Sequence, residues 1–467
     1  MPECPPVREE NKMGTMPVNR LLISVSVPMM ISMLVQALYN VVDSMFVSYI
    51  SENALTAVSL AFPMQNLMIS VAVGTGVGMN ALLSRSLGER NFDRVNQAAN
   101  NGVLLGLLSC AFFVLIGFFG MDVYFRAQTD VAEIIEYGKT YLSICTIYSV
   151  GLFGQVTFAR LLQSTGKTFF SMVQQLAGAL FNIIFDPIMI FGLLGCPRMG
   201  VAGAAIATVL GQAVGALLGI FFNFRYNKEI ALSLDGMKPH LPTIKRIYSV
   251  GLPSIIMSSL ASVMTFGLNK ILFTFTSTAA AVLGVYFKLQ SFIFMPVFGL
   301  NNGMVPIISY NFGARKPDRI MKTLRLSILY AVSILLVGMF IFQVFTPQLI
   351  GIFHPSPEML AIGVPALRTI SLSYLFPGFC IIVISLCQAL GHGLKSLLIS
   401  VVRQLVVLLP AAWLLSLTGR LELIWYAFPI AEIAGVCMCV YFLLRIYREE
   451  IKPLEALPDE FCKEQIA

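Results

Sequence analysis

Charged residues are scarce in this sequence. They make up 12% of its 467 residues, whereas hydrophobic residues make up 57%. A soluble domain carries about 25% charged residues, so this chain has too few polar side chains to cover a globular surface. A helix needs about 20 apolar residues to span a membrane. Length and composition therefore predict an integral membrane protein with roughly a dozen spans.

The sequence also lacks a nucleotide-binding loop and a paired cysteine motif. Residues 164–168 read STGKT, but a phosphate-binding loop needs a glycine five residues before Gly166, where Leu161 stands. The nine cysteines show no CxxC spacing, which predicts buried thiols rather than a metal or redox site. An energy-dependent function of this chain would therefore draw on an ion gradient or on a separate subunit.

The positive charges are unevenly distributed along the chain. The net charge is +7, and most of the 31 Lys and Arg residues fall in every second connection between predicted spans. The opposite connections hold only Arg126, Arg198 and Arg420. The positive-inside rule then places both termini in the cytoplasm. The net positive charge is therefore explained by the membrane topology, and we expect no nucleic-acid partner.

Two distant passages of the chain are alike. Residues 84–95, SRSLGERNFDRV, align without a gap to residues 309–320, SYNFGARKPDRI, at an offset of 225 positions. The same offset pairs QSTGKTFFSMV, from Gln163, with QALGHGLKSLL, from Gln388. These matches predict two duplicated units of six helices each. Because six is even, both units enter the membrane from the same side, as a parallel repeat.

The repeat predicts an all-α membrane protein of 12 transmembrane helices in two six-helix bundles. The predicted parts are a cytoplasmic N-terminal tail at 1–20, an N-terminal lobe at 21–223, a cytoplasmic loop at 224–246, a C-terminal lobe at 247–444 and a cytoplasmic C-terminal tail at 445–467. Two such bundles on either side of a cleft are typical of transporters that work by alternating access. Duplicated chains also occur among channels and enzymes.

The first predicted helix carries a polar stripe. Gln36, Tyr39, Asn40 and Asp43 follow helical spacing and share one face. Asp43 lies about 34 Å along the helix from Arg20, in the outer half of the membrane. An ionised carboxylate at membrane depth costs at least ~2.5 kcal/mol. We therefore expect Asp43 to bind a coupling ion or cargo; the alternative is an aspartate that reaches the outer water.

A second polar stripe lies on the fifth predicted helix. Gln175, Asn182 and Asp186 share a face, and Pro187 is expected to interrupt the helix directly after Asp186. Thr208 follows on the next helix, among small residues. Two carboxylates, an amide and a hydroxyl would together hold a proton or Na⁺, a hard cation that prefers oxygen. The alternative is hydrogen bonding between helices.

The second half of the chain lacks the two aspartates. At the repeat offset their places are taken by Leu268 and Ala411, so cation chemistry is predicted for the N-terminal lobe. The C-terminal spans instead contain Lys270, Lys288 and Arg403. Lys270 is expected to snorkel to the outer surface. Lys288 lies about 12 Å inside its span and is a candidate substrate contact. For both Lys288 and Arg403, service in a gate and pairing with a polar partner stay open as alternatives.

The chain resembles the multidrug and toxic compound extrusion (MATE) transporters, in particular bacterial members with an aspartate in the first helix. The resemblance rests on LVQALYNVVDSMFVS, NIIFDPIMI, GVAGAAIATVLGQ, SLGERNFDRV and the block YFKLQSFIFMPVFGLNNGMVPIISYNFGARKPDRI. It runs from about Pro17 to Arg448. It implies a V-shaped pair of lobes that exports amphipathic, often cationic compounds in exchange for H⁺ or Na⁺. It further implies a monomer in the bacterial inner membrane that needs no cofactor.

The resemblance also implies roles for individual residues. Asp43 would be the central coupling carboxylate, Asn182 and Asp186 the cation ligands of the fifth helix, and Thr208 a ligand from the sixth. The candidate substrate contacts are Gln36, Tyr39, Asn40, Gln175 and Lys288. A flippase for a lipid-linked precursor is the alternative within transport, but it would be expected to show several cationic residues in its cavity. A non-transporting receptor or enzyme would need a catalytic set or a soluble domain, and the sequence shows neither.

Overall fold

Most of the described residues are helical. The computed structural model describes residues 10–233, 235–353 and 355–455, and it contains no strand within these ranges. The predicted tails at 1–20 and 445–467 therefore lie partly outside the described residues. Ten described helices are long and apolar enough to cross a membrane, and there are twelve spans when each of two bent pairs counts as one. This confirms the predicted fold class.

The helices of the first half are α1 (Lys12–Thr15), α2 (Val18–Ser48), α3 (Glu52–Gly88), α4 (Phe92–Phe119), α5 (Met121–Arg126), α6 (Ala132–Ile147), α7 (Val150–Ser164), α8 (Thr168–Phe191) and α9 (Val201–Tyr226). Those of the second half are α10 (Leu241–Leu272), α11 (Ser277–Gly313), α12 (Pro317–Val344), α13 (Thr346–Gly351), α14 (Pro357–Ser371), α15 (Pro377–Ala389), α16 (Gly393–Val401), α17 (Leu409–Ser416), α18 (Leu421–Ile424), α19 (Ala427–Ile446) and α20 (Lys452–Glu455). The bent pairs are α6 with α7, at 45°, and α14 with α15, at 48°.

The two halves repeat each other in their helix boundaries. The bounds of α3, α4 and α5 recur in α11, α12 and α13 at the offset of the sequence repeat. Even the turn after the repeated motif is the same, because Arg90 and Arg315 both adopt a left-handed conformation, with φ of 55° and 54°. The duplication therefore specifies local backbone geometry as well as the number of helices.

The glycine of the repeated motif allows the two halves to touch. A Cβ atom on Gly88 would lie 1.9 Å from the carbonyl oxygen of Tyr310, and one on Gly313 would lie 2.1 Å from that of Arg85. These two contacts are related by the repeat, so each half presents the same surface to the other. Only glycine leaves room for such an approach. The inner ends of α3 and α11 are therefore packed together.

Helix α2 belongs to both halves. Its inner residues Leu21, Leu22 and Val25 are fully buried in the hydrophobic core of the second half. Ser26 donates a hydrogen bond to the carbonyl oxygen of Leu300 at 3.3 Å. The helix also packs against α8 of the first half. Helix α2 therefore contacts both halves of the molecule.

Residues 10–16, here called the N-terminal plug, join the two halves at their inner side. Asn11 Nδ2 donates to the carbonyl oxygen of Thr165 in the first half at 3.1 Å. Arg319 Nη2, in the second half, donates to the carbonyl oxygen of Met13 at 2.9 Å. The Met13 side chain is fully buried among residues of both halves. The plug therefore holds the two halves together at the end of the molecule that the positive-inside rule assigns to the cytoplasm.

The second half contains a buried ion pair. Arg403, in the π-helix Val402–Leu408, lies with its Nη1 3.3 Å from Oε2 of Glu432. Both side chains are mostly buried, so each charge requires the other. The sequence left the role of Arg403 open, and the structure shows that it pairs with Glu432. Lys270 is exposed in the last turn of α10, as snorkelling requires.

Candidate functional site

Small residues bring α8 and α9 into close contact. A Cβ atom on Gly178 would lie 2.7 Å from the carbonyl oxygen of Gly211, and the reverse distance is also 2.7 Å. Such residues permit backbones to approach within a membrane, where association depends on packing and hydrogen bonds rather than on hydrophobicity. The close contact sets Thr208 of α9 opposite Asn182 of α8.

The Asn182 amide connects both helices. With Nδ2 toward the carboxylate, it donates to Asp186 Oδ2 at 2.9 Å, and its Oδ1 accepts from Thr208 Oγ1 at 3.2 Å. All three side chains are buried, and Asp186 is completely inaccessible to solvent. Buried polar groups must be hydrogen-bonded, and this arrangement satisfies the amide on both sides. The three residues therefore form one rigid polar unit.

Asp43 brings a second carboxylate to this unit. The carboxyl groups of Asp43 and Asp186 lie within hydrogen-bonding range, and the buried Oδ1 of Asp43 has no hydrogen-bond partner among the described residues. No ion pair in the described part of the chain involves either aspartate. Two negative charges this close repel strongly when shielded from water, so both carboxyl groups can be ionised together only when a cation compensates them.

Tyr39 and three residues that sequence reasoning missed border the carboxylates. The Tyr39 hydroxyl lies within hydrogen-bonding range of Thr208. Gln65 Nε2 donates to the Tyr141 hydroxyl at 3.2 Å and lies 3.7 Å from Cys145 Sγ. Gln65 is a single polar group on an otherwise apolar face of α3, so the sequence offered no signal for it. Tyr141 and Cys145 lie one turn apart on the same face of α6, and this helical spacing was a signal that could have identified them.

Three of the predicted substrate contacts share the α2 face of Asp43. Gln36 and Tyr39 are partly buried there, while Asn40 is exposed. The three residues lie within two turns of Asp43, so they extend the polar face inward from the carboxylates. This is the position from which they would contact a bound compound.

The other two predicted contacts lie away from the carboxylates. Gln175 lies about 16 Å along α8 from Asp186. Its Nε2 donates to Ser171 Oγ at 3.0 Å. Lys288 is exposed, and its Nζ lies 5.9 Å from the centroid of the Phe353 ring. The structure therefore places Gln175 on the same face of α8 but nearer to the N-terminal end of that helix, and it does not bring Lys288 into the cluster.

The predicted interruption of the helix at Pro187 is wrong. Helix α8 continues through Pro187 to Phe191. Proline removes one backbone donor, which leaves the Ile183 carbonyl without its usual partner. The flanking hydrogen bonds keep the helix intact because the membrane interior supplies no replacements for them.

The donor set of the site consists of oxygens. Within the described residues no three His, Cys, Asp or Glu side chains form a cluster. The groups that converge are two carboxylates, the Asn182 amide and two hydroxyls. Oxygen ligands of this kind suit a proton or a hard cation such as Na⁺.

The MatE family model matches the chain twice, at residues 28–188 and 253–414. The chain belongs to the MatE family. It is 27% identical over 433 residues to the multidrug export protein MepA of Staphylococcus haemolyticus, covering 91% of this chain and 94% of that protein. It is 28% identical over 424 residues to MepA of Staphylococcus saprophyticus, covering 90% and 92%.

Solved structures agree with this MatE assignment. A crystal structure of MATE in complex with MaL6 has a TM-score of 0.89 and 25% identity, covering 96% of this chain and 100% of that one. A MOP superfamily transporter from Pyrococcus furiosus has a TM-score of 0.88 and 25% identity, with coverage of 96% of this chain and 99% of that one. For that transporter, a reverse polarity of the binding pocket suggests a different function. This MatE family member is thus a multi-pass membrane transporter and not an enzyme.

Proposed function

We propose that this MatE family member exports chemically varied amphipathic compounds, often cationic, in exchange for H⁺ or Na⁺ by alternating access. It acts as a monomer in the bacterial cytoplasmic membrane, with both termini inside. The observation that carries the proposal is the enclosed Asp43–Asp186 pair, which has no cationic side chain as an ion-pair partner among the described residues. The export proteins named MepA, similar over most of the chain, support the substrate class.

The chemistry of exchange follows from the two carboxylates. Because their charges repel at short distance, the pair takes up a proton or Na⁺ when it faces the outside. A cationic compound that arrives from the cytoplasm competes for the same negative charge. Release of one is thereby tied to binding of the other, since an uncompensated carboxylate pair within the membrane is costly.

The polarity of the cluster favours drug export over flipping of a lipid-linked precursor. A carrier of anionic lipid headgroups needs several cations at its binding site. The described groups around Asp43 and Asp186 are instead hydroxyl, amide, phenol and thiol groups. Lys288, the cation predicted nearest to a substrate, lies elsewhere.

Reconstituted liposomes test this proposal. The full-length protein is reconstituted, and efflux of a cationic fluorescent dye is followed while a pH gradient and a Na⁺ gradient are imposed separately. We expect dye movement against its concentration gradient under at least one of them, with the Asp43→Asn protein inactive. Equal dye movement with and without gradients would contradict ion-coupled export.

A further inference from the structure

Arg160 is a buried cation between the two halves. It lies in the last turns of α7, and its side chain is only 8% exposed. Its Nη1 donates to Gln163 Oε1 at 3.0 Å and, across the interface, to Asn302 Oδ1 of α11 at 3.1 Å.

The guanidinium has no carboxylate partner. Within the described part of the chain it forms no ion pair, and both of its hydrogen bonds go to neutral amide oxygens. An unpaired buried charge is costly, and within a membrane such charges usually mark a transport path. Helix α3 leaves space for the side chain at Gly76, where a Cβ atom would lie 2.7 Å from Arg160 Cγ.

The fold itself does not require this charge. At the equivalent position of the second half stands Ser385, which is buried and donates to the carbonyl oxygen of Ile381 at 2.8 Å. The same bent pair of helices is therefore built there with a small neutral residue. A structural role common to both halves does not explain Arg160.

One edge of the guanidinium is available to a ligand. The group carries five N–H donors, and both of the hydrogen bonds described above use Nη1. Nε and Nη2 have no acceptor among the described residues. These two nitrogens form the edge that binds a carboxylate through two parallel hydrogen bonds.

A hydrogen-bonded chain leads from Arg160 toward the carboxylate pair. Gln163 Nε2 donates to Ser171 Oγ at 3.0 Å, and Gln175 Nε2 donates to the same oxygen at 3.0 Å. From Gln175 the polar face of α8 continues outward to Asp186. The N-terminal lobe therefore carries a positive group near its inner end and an anionic pair near its outer end.

We propose that Arg160 is a substrate-binding residue for the carboxylate of zwitterionic amphipathic compounds. When the cytoplasmic side opens, α11 withdraws Asn302, and the substrate carboxylate replaces its oxygen on the guanidinium. This inference rests on the proposed export function and assigns a residue of this chain to the substrate carboxylate.

A matched pair of dyes tests the proposal. The probes are a rhodamine with a free carboxylate and its methyl ester, and their binding to the purified full-length protein is measured by fluorescence anisotropy. In Arg160→Gln the affinity for the acid, relative to the ester, is expected to fall about tenfold or more, because a charge-assisted hydrogen-bonded pair is lost. The acid-to-ester affinity ratio of Arg160→Lys should lie between those of Arg160→Gln and the wild type, since lysine offers a point charge without the paired edge.

Control variants separate binding from general effects. Arg126→Gln removes an exposed arginine of α5 and should leave the acid-to-ester ratio unchanged. Asn302→Ala removes the contact across the interface and should not lower the ratio. The proposal is overturned if the acid-to-ester ratio is unchanged in both Arg160 variants, which includes an equal loss of affinity for both dyes. Because binding is measured without transport, failure of the wild type to export the ester would count against the proposed function alone.

Discussion

Asp43 and Asp186 differ in how the protein encloses them. Asp186 is inaccessible and held by Asn182, whereas Asp43 is partly exposed and has an oxygen without a hydrogen bond among the described residues. Under the proposed function, Asp186 would position the site and Asp43 would meet the arriving ion or compound. This division assigns the larger functional effect to Asp43.

Replacing Asp43 with asparagine keeps the size of the side chain and removes its charge. We expect Asp43→Asn to abolish gradient-driven dye efflux while leaving the amount of folded protein in the membrane unchanged. Asp122→Asn, at an exposed position of α5, serves as the control and should keep activity. Full efflux by Asp43→Asn in reconstituted liposomes would oppose the coupling role.

Residue patterns predicted one part of the site and missed another. The stripes on two helices identified Asp43, Asn182 and Asp186 because several polar groups recur at helical spacing in an apolar background. Arg160 and Gln65 were not identified, since each is a solitary polar residue whose meaning depends on what a distant helix places opposite it. Such contacts arise from tertiary packing and leave no local periodicity.

At the scale of helices, the contact of α8 with α9 positions the cluster. Adding a methyl group at Gly211 would set it 2.7 Å from the carbonyl oxygen of Gly178, so the helices must separate. We expect Gly211→Ala to weaken the hydrogen bond between Asn182 and Thr208 and to lower both the thermal midpoint and the efflux rate.

Gly284→Ala is the matched control, because a Cβ atom there meets no atom within 4 Å. Both variants change one helical glycine in a membrane span. Equal midpoints for the two proteins, measured by thermal unfolding in detergent, would show that the close approach of α8 and α9 is unimportant.

The N-terminal plug yields a second prediction at this scale. Met13 is fully buried between the halves, and Glu10 Oε1 lies 2.6 Å from Lys316 Nζ. Removing a buried methionine side chain typically costs about 2–5 kcal/mol. We therefore expect Met13→Ala to shift the protein toward a form open to the cytoplasm.

Spin labels on the inner ends of α4 and α12 measure this shift as a longer distance distribution. Thr15→Ala, an exposed position of the plug, should leave the distribution unchanged. Unaltered distances in Met13→Ala would remove the plug from the account of cytoplasmic closure.

Long helices were well predicted from the sequence, and their irregularities were not. Hydrophobic length alone indicates α2, α3 and α11, because a span needs an apolar run of about 20 residues. The 45° bend between α6 and α7 and the π-helix Val402–Leu408 carry no such signal. They depend on how neighbouring helices pack around them.

At the scale of the whole molecule, the repeat supplies the architecture while the two halves differ in chemistry. The glycine contacts at Gly88 and Gly313 are reciprocal, so duplication explains how the halves meet. The position equivalent to Asp43 holds Leu268, which is buried in the apolar core of the second half. The two aspartates are therefore confined to one half, and under the proposed function that half would bind the coupling ion.

The central claim is that the Asp43–Asp186 pair is occupied in turn by the coupling ion and the cationic compound. Its most direct test adds a cationic dye to the purified protein in weakly buffered, Na⁺-free solution and records proton release together with dye binding. The account predicts that the wild type releases a proton as dye binds and acidifies the medium, whereas Asp43→Asn releases none. The account is contradicted if the wild type binds the dye tightly without releasing a proton at every pH at which the protein stays folded.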